Sequence, residues 1–314
     1  MKNIDISIIT PCFNEEGSVQ ECSESIRNMM KNKLPMLNYE HIFIDNNSTD
    51  STVRLLNEEC MKDKNVKLLV NSRNVGAFKS IYKAMKESSG KVVIPMYAAD
   101  MQDPAEVIPD FYRHWELGYL VAFGVRSNRK ENFLLRKTRK MYYKIIQKFS
   151  ESYIPINAGE FLLADRKVVE SILETNDYEP YIRGMVAITG VKSIEIAYNM
   201  NQRQKGKTKA NFLNLIDTAI NAFIGTSRIP ARIMLLLGFA LSSIATLIGL
   251  IKFVFSDIFN LLILENLDLG NVLIIIFGGL QIFFIGLVGE YVLSIHAQVR
   301  RNPESFFTEK INFG

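Results

Sequence analysis

The chain is poor in cysteine. Among its 314 residues it has three, Cys12, Cys22 and Cys60, all in the first part of the sequence. An odd number in this arrangement excludes a disulfide-stapled scaffold and is typical of a reduced, cytoplasmic compartment. Cys12 stands where a first strand should end and has no evident histidine base, so we interpret it as a buried structural thiol rather than a nucleophile.

Other features are missing as well. The N-terminus lacks the apolar core of a secretory signal, so we expect the first domain to stay on the side where it is synthesised. Without a glycine-rich phosphate loop, bound phosphate would be held by a metal ion and basic side chains. The formal net charge is only +4, with basic clusters at 126–148 and 203–209. No nucleic-acid-binding module accompanies them, so we expect phosphate or an anionic membrane surface, and no nucleic acid, as their partner.

Charge is absent from two long apolar stretches, Ile233–Ile251 and Gly270–Gly289. Each has the length needed to span a hydrocarbon core of about 30 Å, so we predict transmembrane helices at about 232–254 and 270–293. Arginines flank the pair, whereas the loop 256–270 contains no lysine or arginine. The positive-inside rule then places both termini in the cytoplasm.

The segment before the first apolar stretch is amphipathic. Apolar residues recur at helical spacing from Phe212 to Phe223. This pattern predicts a helix at 211–229 that lies in the membrane interface, with a packed soluble helix as the alternative. We therefore expect a cytoplasmic domain at 1–210, the interfacial helix, and a membrane anchor at 230–314 that ends in a short cytoplasmic tail.

Up to residue 125, short apolar runs alternate with amphipathic segments of helical length. The runs are Ile6–Thr10, His41–Asp45, Val66–Val70, Val92–Met96 and Leu120–Gly124. Such alternation predicts an α/β domain whose mostly parallel sheet is covered on both faces. In a sheet of this kind, ligands bind outside the carboxyl ends of the strands.

A polar motif follows each of the first four strands. The motifs are Pro11–Glu15, Asp45–Asp50, Asn71–Gly76 and Asp100–Asp103. Each could be ordinary turn chemistry by itself, but their shared position favours one nucleotide-binding crevice. The last of these motifs is a cluster of carboxylate and amide oxygens, the ligands that Mg²⁺ prefers. Because Mg²⁺ uses only one or two protein carboxylates, we expect a nucleotide diphosphate to complete its shell.

These motifs resemble those of a known family. Successive motifs of the family 2 glycosyltransferases, which have the Rossmann-like GT-A fold, are similar to Pro11-Cys12-Phe13-Asn14-Glu15, Asp45–Asp50 and Ala99-Asp100-Met101-Gln102-Asp103-Pro104. The resemblance is narrowed to the polyisoprenyl-phosphate glycosyltransferases by the paired apolar stretches, Arg203–Lys209 and Gly289-Glu290-Tyr291. It covers nearly the whole chain.

The resemblance implies an enzyme of the bacterial cytoplasmic membrane. It would transfer a sugar, with inversion, from a nucleotide-diphosphate sugar to a polyprenyl phosphate, using Mg²⁺ or Mn²⁺. A UDP-sugar and undecaprenyl phosphate are the expected pair, while the sugar itself stays open. The oligomeric state is open too, a homo-oligomer included.

Site residues are carried over from the family by position. The nucleotide-sugar ligands are Pro11, Asn14, Glu15, Asp45, Asp100, Arg203 and Lys209. The metal ligands are Asp100 and Gln102, and the acceptor-phosphate ligands are Arg126, Arg129 and Arg136. The catalytic residues are Asp100, Glu160 and Arg126. The alternatives are a solvated or lipid-facing basic surface for the arginines and a structural hydrogen bond for Glu160.

The chain also departs from the family pattern. Ala98 stands where the first Asp of an Asp-x-Asp is usual, Glu160 replaces Asp, and Leu162 and Met200 stand where Arg is common. These changes put metal affinity and substrate choice in question. They make an inactive, nucleotide-sugar-binding membrane subunit a rival interpretation, beside a glycosyltransferase with another acceptor. A processive polysaccharide synthase is disfavoured, because the single tryptophan, Trp115, does not lie in the Gln-x-x-Arg-Trp segment typical of those enzymes.

Overall fold

A computed structural model describes residues 3–127, 158–201, 269–300 and 305–313 and, with gaps, 236–250. The chain forms two compact units. The first unit combines Met1–Ala222 with Arg301–Gly314, and the second is Phe223–Arg300.

The first unit contains an eight-stranded sheet in the order β7-β5-β6-β4-β1-β2-β3-β8. The strands are β1 (Ile6–Cys12), β2 (Tyr39–Asp45), β3 (Val66–Asn71), β4 (Val92–Ile94), β5 (Val121–Arg126), β6 (Ala158–Asp165), β7 (Ser193–Tyr198) and β8 (Phe307–Ile311). Strand β1 pairs in parallel with β2 and β4, as do β2 with β3 and β5 with β7. The other three neighbouring pairs are antiparallel. The predicted α/β fold with a mostly parallel sheet is therefore confirmed.

Helices cover both faces of this sheet. They are α1 (Val19–Lys33), α2 (Thr52–Lys62), α3 (Ala77–Glu87), α4 (Ile108–Glu116), α5 (Arg166–Glu174) and α6 (Ile182–Ile188), with a 3₁₀ turn at Ala105–Val107. Within β1, Ile8 belongs to one core cluster and Ile9 to a second, and both are fully buried. Because successive side chains of a strand point to opposite faces, this division shows two cores, one on each side of the sheet.

The C-terminal tail is part of this sheet. Strand β8 pairs antiparallel with β3, and the backbone N–H of Ser72 donates to the carbonyl of Phe306 at 2.9 Å. The sequence assigns these residues to the membrane anchor, whereas the structure places them in the first unit. A short segment rich in Thr, Glu and Lys has no apolar run that predicts a strand. It can nevertheless protect the edge of a preformed sheet.

The second unit contains a long helix, α7 (Leu269–Arg300). Its segment Phe277–Arg300 is long and apolar enough to cross a membrane, and it is the one such helix among the described residues. It covers much of the second predicted span. Of the first predicted span, the described residues within 236–250 are helical. The predicted interfacial helix at 211–229 lies outside the described residues.

Candidate active site

The loops after β1 and β2 are bonded to each other. The backbone N–H of Asn46 donates to the carbonyl of Cys12 at 2.9 Å. Asn14 also links the two loops. Its backbone N–H donates to Oγ of Ser48 at 2.8 Å, and its Oδ1 accepts from the N–H of Thr49 at 2.8 Å. Asn14 has a φ of +54°, a left-handed conformation that asparagine tolerates better than most residues. These two loops therefore form one bonded edge.

Besides Asn14, two further predicted nucleotide ligands lie within this edge. The N–H of Glu15 donates to Oγ1 of Thr52 at 2.8 Å. Asp45 is fully buried, and its Oδ2 accepts from the N–H of Ser48 at 2.8 Å. Burial raises the pKa of Asp45 above its ordinary value, while the bonds from Ser48 oppose that shift. Asp45 thus shapes the loop after β2, and its contact with a nucleotide stays a prediction.

The other two loops join the same edge. Oδ1 of Asn46 accepts from the N–H of Val75, in the loop after β3, at 2.9 Å. Beyond β4, the N–H of Tyr97 donates to the carbonyl of Ile9 in β1 at 2.8 Å. The four polar motifs therefore lie at the carboxyl ends of neighbouring strands, as the parallel order requires.

Asp100 sits in a tight turn after β4. The N–H of Met101 donates to the carbonyl of Ala98 at 3.0 Å, and the N–H of Gln102 lies 3.3 Å from Oδ1 of Asp100. Met101 has a φ of +52°, which is uncommon for a side chain of this kind. From the end of β7, Asn201 donates its backbone N–H to the carbonyl of Gln102 at 2.9 Å and its Nδ2 to that of Met101 at 3.2 Å. The turn is held from both sides.

The donor set fits a hard divalent cation only in part. Asp100 supplies a carboxylate and Gln102 an amide oxygen, and both ligand types suit Mg²⁺ or Mn²⁺. Among the described residues, no group of three or more His, Cys, Asp or Glu could hold a metal ion. Such an ion would need oxygens from a bound diphosphate, which agrees with Ala98 standing in place of a second carboxylate.

Arg126 is bound to the last acidic residue of this motif. Its Nη2 donates to Oδ1 and Oδ2 of Asp103, each at 3.0 Å, and its Nε donates to Oδ1 at 3.2 Å. The hydroxyl of Tyr198 donates to the same carboxylate. Asp103 is only 4% exposed. Arg126 and Tyr198 therefore fix the Asp100–Asp103 turn to strands β5 and β7.

Glu160 has a cationic neighbour that the sequence did not indicate. The backbone N–H of Arg183, in α6, donates to its Oε2 at 3.1 Å, and the guanidinium Nε lies 3.7 Å from Oε1. Burial raises the pKa of Glu160, and the positive charges of Arg183 and then Arg126 oppose that shift. Arg126 also lies beside the strand that carries Glu160, because a Cβ on Gly159 would stand 3.5 Å from its guanidinium.

Leu162, which stands where arginine is common in the family, lies in apolar surroundings. It is fully buried in the core cluster that includes Ile182 and Val186 of α6. An arginine there would place its charge in an apolar core at high cost. The sequence lacks the arginine that is common at position 162, and in the structure Arg183 of α6 provides a guanidinium beside Glu160.

One further prediction is tested by burial, and the other predicted residues are only located or lie outside the described part of the chain. Cys12 is 2% exposed, and burial raises the pKa of its thiol well above the ordinary value, which confirms the structural interpretation. Pro11 lies in β1. The remaining predicted ligands lie outside the described residues, namely Arg129, Arg136, Arg203 and Lys209. Sequence reasoning missed Tyr198, Arg183 and Asn201, since none belongs to a motif that follows one of the first four strands.

Comparison with known proteins places these observations in a family. The family model for Glycosyl transferase family 2 matches residues 7–173. The uncharacterized glycosyltransferase YkoT of Bacillus subtilis (strain 168) is 32% identical over 310 residues, which cover 95% of this chain and 90% of YkoT. The SfII prophage-derived bactoprenol glucosyl transferase of Shigella flexneri is 30% identical over 309 residues, 95% of this chain and 96% of that protein.

A solved structure, described as that of a mycobacterial protein, is similar in fold. It matches with a TM-score of 0.50 at 16% identity and covers 70% of this chain and 74% of that chain. At this identity the likeness concerns the GT-A fold alone. The sequence matches go further, because they extend over more than half of the chain for the family and nearly all of it for the relatives. The chain is a glycosyltransferase that belongs to glycosyl transferase family 2.

Proposed function

We propose that this enzyme transfers a sugar, with inversion, from a nucleotide-diphosphate sugar to a membrane polyprenyl phosphate. A UDP-sugar and undecaprenyl phosphate are the proposed pair, and cell-envelope glycan or lipid modification is the proposed setting. The observation that carries this proposal is the similarity to a bactoprenol glucosyl transferase over 95% of the chain. That similarity extends beyond the sheet and includes the apolar segments, which a soluble acceptor would not require.

The position of the tail supports a membrane anchor with two spans. The chain leaves the first unit after Ala222 and re-enters it at Arg301. Since β8 pairs with β3 in one sheet, both ends of the intervening segment lie on the same side of any membrane that it crosses. The number of crossings is then even. We place the catalytic unit and both termini in the cytoplasm, from the arginines that flank the apolar stretches.

The chemistry of the acceptor limits what the protein must do. The second ionisation of a phosphate monoester lies near pH 6, so a polyprenyl phosphate arrives largely as a dianion at neutral pH. No general base is needed to generate the nucleophile, unlike in transfer to a sugar hydroxyl. The enzyme has to align an acceptor oxygen with the anomeric carbon and stabilise the departing nucleotide diphosphate. Alignment alone can contribute about 7 to 11 kcal/mol.

Two charged residues line the proposed acceptor side. The bonds from Arg126 to Asp103 use Nε and Nη2, so in its proposed acceptor role Nη1 would donate to the phosphate. Glu160, held by Arg183, would orient a hydroxyl of the sugar being transferred. In this role the carboxylate of Glu160 would repel the acceptor phosphate, because both groups are negatively charged. The guanidinium groups of Arg183 and Arg126, which oppose the rise in the pKa of Glu160 caused by burial, would reduce that repulsion.

Leaving-group stabilisation is assigned to the Asp100 turn. Asp100 and Gln102 would hold Mg²⁺ or Mn²⁺, which when bound would offset negative charge on the diphosphate. Arg203 and Lys209 are proposed to add positive charge on the same group. The turn is anchored by Asn201 and by the Asp103–Arg126 pair, so its oxygens are held in place before the donor binds.

A second candidate is an inactive membrane subunit that binds nucleotide sugars. Ala98 favours it, because a single carboxylate holds a metal less strongly than two. The test uses purified protein, polyprenyl phosphate and a panel of labelled UDP- and GDP-sugars with Mg²⁺ or Mn²⁺. We expect one donor to yield labelled lipid. Binding of a nucleotide sugar with no labelled lipid from any donor would favour the inactive subunit, and transfer to a different acceptor alone would refute the lipid assignment.

A further inference from the structure

A buried polar chain connects the C-terminal tail to the loops at the donor edge. It begins at Lys83 in α3, which is 8% exposed. The ammonium Nζ donates to Oδ1 of Asn71 at 2.6 Å, to the carbonyl of Ser305 at 2.6 Å and to Oγ of Ser305 at 2.7 Å. Nζ also lies 4.2 Å from the ring centroid of Phe307. One lysine therefore contacts the end of β3 and the tail at the same time.

Asn71 joins Lys83 to Asn46 in the loop after β2. Its Nδ2 donates to Oγ of Ser80 at 3.0 Å and lies 3.4 Å from Oδ1 of Asn46. That same Oδ1 accepts from the N–H of Val75 at 2.9 Å. Asn71 is fully buried and Asn46 is 5% exposed. Asn46 in turn follows Asp45 directly and bonds to Cys12, so the chain of bonds ends at the loops after β1, β2 and β3.

Because these groups are buried, each N–H donor needs an acceptor within the protein. A lysine ammonium has three N–H donors, and here three acceptors lie within 2.7 Å of Nζ. Lys83 and Ser305 are both more than nine-tenths buried, so solvent can compensate only in part for a donor that loses its acceptor. The geometry at the end of β3 therefore depends in part on Ser305, which lies 222 positions from Lys83 in the sequence.

We propose that Lys83 and Ser305 are positioning residues for donor binding, through which the C-terminal tail sets the loops that receive the nucleotide sugar. This inference rests on the proposed donor-binding role of the carboxyl edge. The tail, which follows the long apolar helix, completes the donor site without touching the nucleotide. Loss of the connection should weaken donor binding while the rate with bound donor changes little.

Three variants of the full-length protein test the connection at separate links. Lys83→Met removes all three donated bonds and keeps a side chain of similar length. Ser305→Ala removes one acceptor at the tail. Asn71→Asp keeps the oxygen that Lys83 needs but replaces the Nδ2 donor to Asn46, so the tail stays docked while the link to the loops is cut.

Lys310→Met is the matched control. It lies in the same tail and loses the same charge, but its Nζ bonds to Glu87 at an exposed position, where the Lys310 side chain is 42% accessible. Binding is measured calorimetrically with UDP and with GDP, each with Mg²⁺, and the nucleotide that binds the wild type is the probe. For the donor that the wild type turns over, KM and kcat are then measured separately.

We expect the Kd of the nucleotide and the KM of the donor to rise about three- to tenfold in Lys83→Met and Asn71→Asp. Ser305→Ala should show a smaller rise, and Lys310→Met should match the wild type. Because the bonds act in series, Lys83→Met combined with Asn71→Asp should weaken binding by less than the product of the two single effects. A purely structural role would lower Tm and leave the Kd of the folded protein unchanged.

The inference is overturned if Asn71→Asp and Ser305→Ala fold and bind the nucleotide like the wild type, whatever the fate of Lys83→Met. It is also overturned if Lys310→Met weakens binding as much as Lys83→Met does. In both cases the wild type still binds and transfers, so the proposed function stands. Failure of the wild type to bind either nucleotide contradicts the proposed function itself.

Discussion

Arg183 holds Glu160 by two groups at once: its backbone N–H donates to Oε2 at 3.1 Å, and its guanidinium Nε lies 3.7 Å from Oε1. Burial is the largest influence on Glu160 and raises its pKa, and the charge of Arg183 is the largest influence that opposes it, followed by Arg126. The pair therefore sets the pH above which Glu160 is a carboxylate.

Arg183→Gln should move the pH dependence of the reaction. Without the guanidinium, the already raised pKa of Glu160 rises further, so a higher pH is needed to ionise it. We expect the rising limb of kcat/KM against pH to shift to higher pH. Arg183→Lys should restore most of the wild-type profile. The assay is labelled-lipid formation between pH 5 and 9.

Lys192→Gln is the control for this shift. It removes a positive charge near Tyr119, where Nζ lies 4.3 Å from the ring centroid, and should leave the profile unchanged. Arg183 also bonds to Ala158 and Tyr181, so its loss should lower Tm as well. If Tm falls but the rising limb of the pH profile does not shift, Arg183 has only a structural role.

Asp100→Ala should abolish sugar transfer and leave the protein folded. The proposed metal would lose its carboxylate, and removal of one fixed group that stabilises developing charge costs about 100-fold or more in rate. Asp110→Ala, at a side chain that is 56% accessible, is the control and should be fully active. Removal of divalent metal by a chelator should abolish the transfer activity of the wild type, and addition of Mg²⁺ or Mn²⁺ should restore it. Full activity of Asp100→Ala would refute the metal role.

Tyr198→Phe should raise the metal concentration required for half-maximal activity. The change deletes the hydroxyl that bonds to both Asp103 and Arg126, so the turn that carries Asp100 is less firmly fixed. We expect a rise of about three- to tenfold and a loss of about 1 kcal/mol in stability. Metal titration of transfer activity measures the first effect and thermal unfolding the second.

Tyr119→Phe provides the comparison for Tyr198→Phe, because its ring packs against Lys192 rather than against the turn. Its metal requirement should equal that of the wild type. If Tyr198→Phe loses stability but binds the metal as tightly as before, the Asp103–Arg126–Tyr198 cluster supports the fold without fixing the position of Asp100.

His41 should make the first unit sensitive to acid. It is fully buried next to Oγ1 of Thr10, 2.9 Å from its Nε2, and burial lowers its pKa from 6.5 to about 3. The unfolded chain binds a proton below about pH 6.5, whereas the folded chain does not until about pH 3. The contribution of His41 to the free energy of unfolding is therefore fully present above about pH 6.5 and is lost as the pH drops toward 3. About 2 kcal/mol of it is lost between pH 7 and 5.

Thermal unfolding of the wild type and His41→Asn at pH 7 and pH 5 measures this contribution. Other groups titrate in both proteins, so the difference between the two pH dependences isolates His41. The variant should be less stable at pH 7 but lose less on acidification. Equal losses in the two proteins would show that His41 is not the residue responsible.

The strand prediction succeeded where one run of residues carried the information. Each of the first five strands was found within a few residues of its predicted position, because an uninterrupted apolar run between amphipathic segments has few alternatives. The convergence of the loops at Asn14, Asp45 and Asp100 followed from parallel order alone. Strands β6 and β7 and the edge strand β8 were not predicted, since antiparallel pairing and edge position depend on partners distant in sequence.

Local composition and period are enough to predict the α/β alternation, the polar motifs at the strand ends and the uncharged stretches. Which charged and polar side chains meet depends instead on the fold. It bonded Arg126 to Asp103, brought Arg183 to Glu160, and set Ser305 of the tail against Lys83 of α3. Those pairings join residues 23 to 222 positions apart, and they form because buried polar groups must find partners wherever the fold places them.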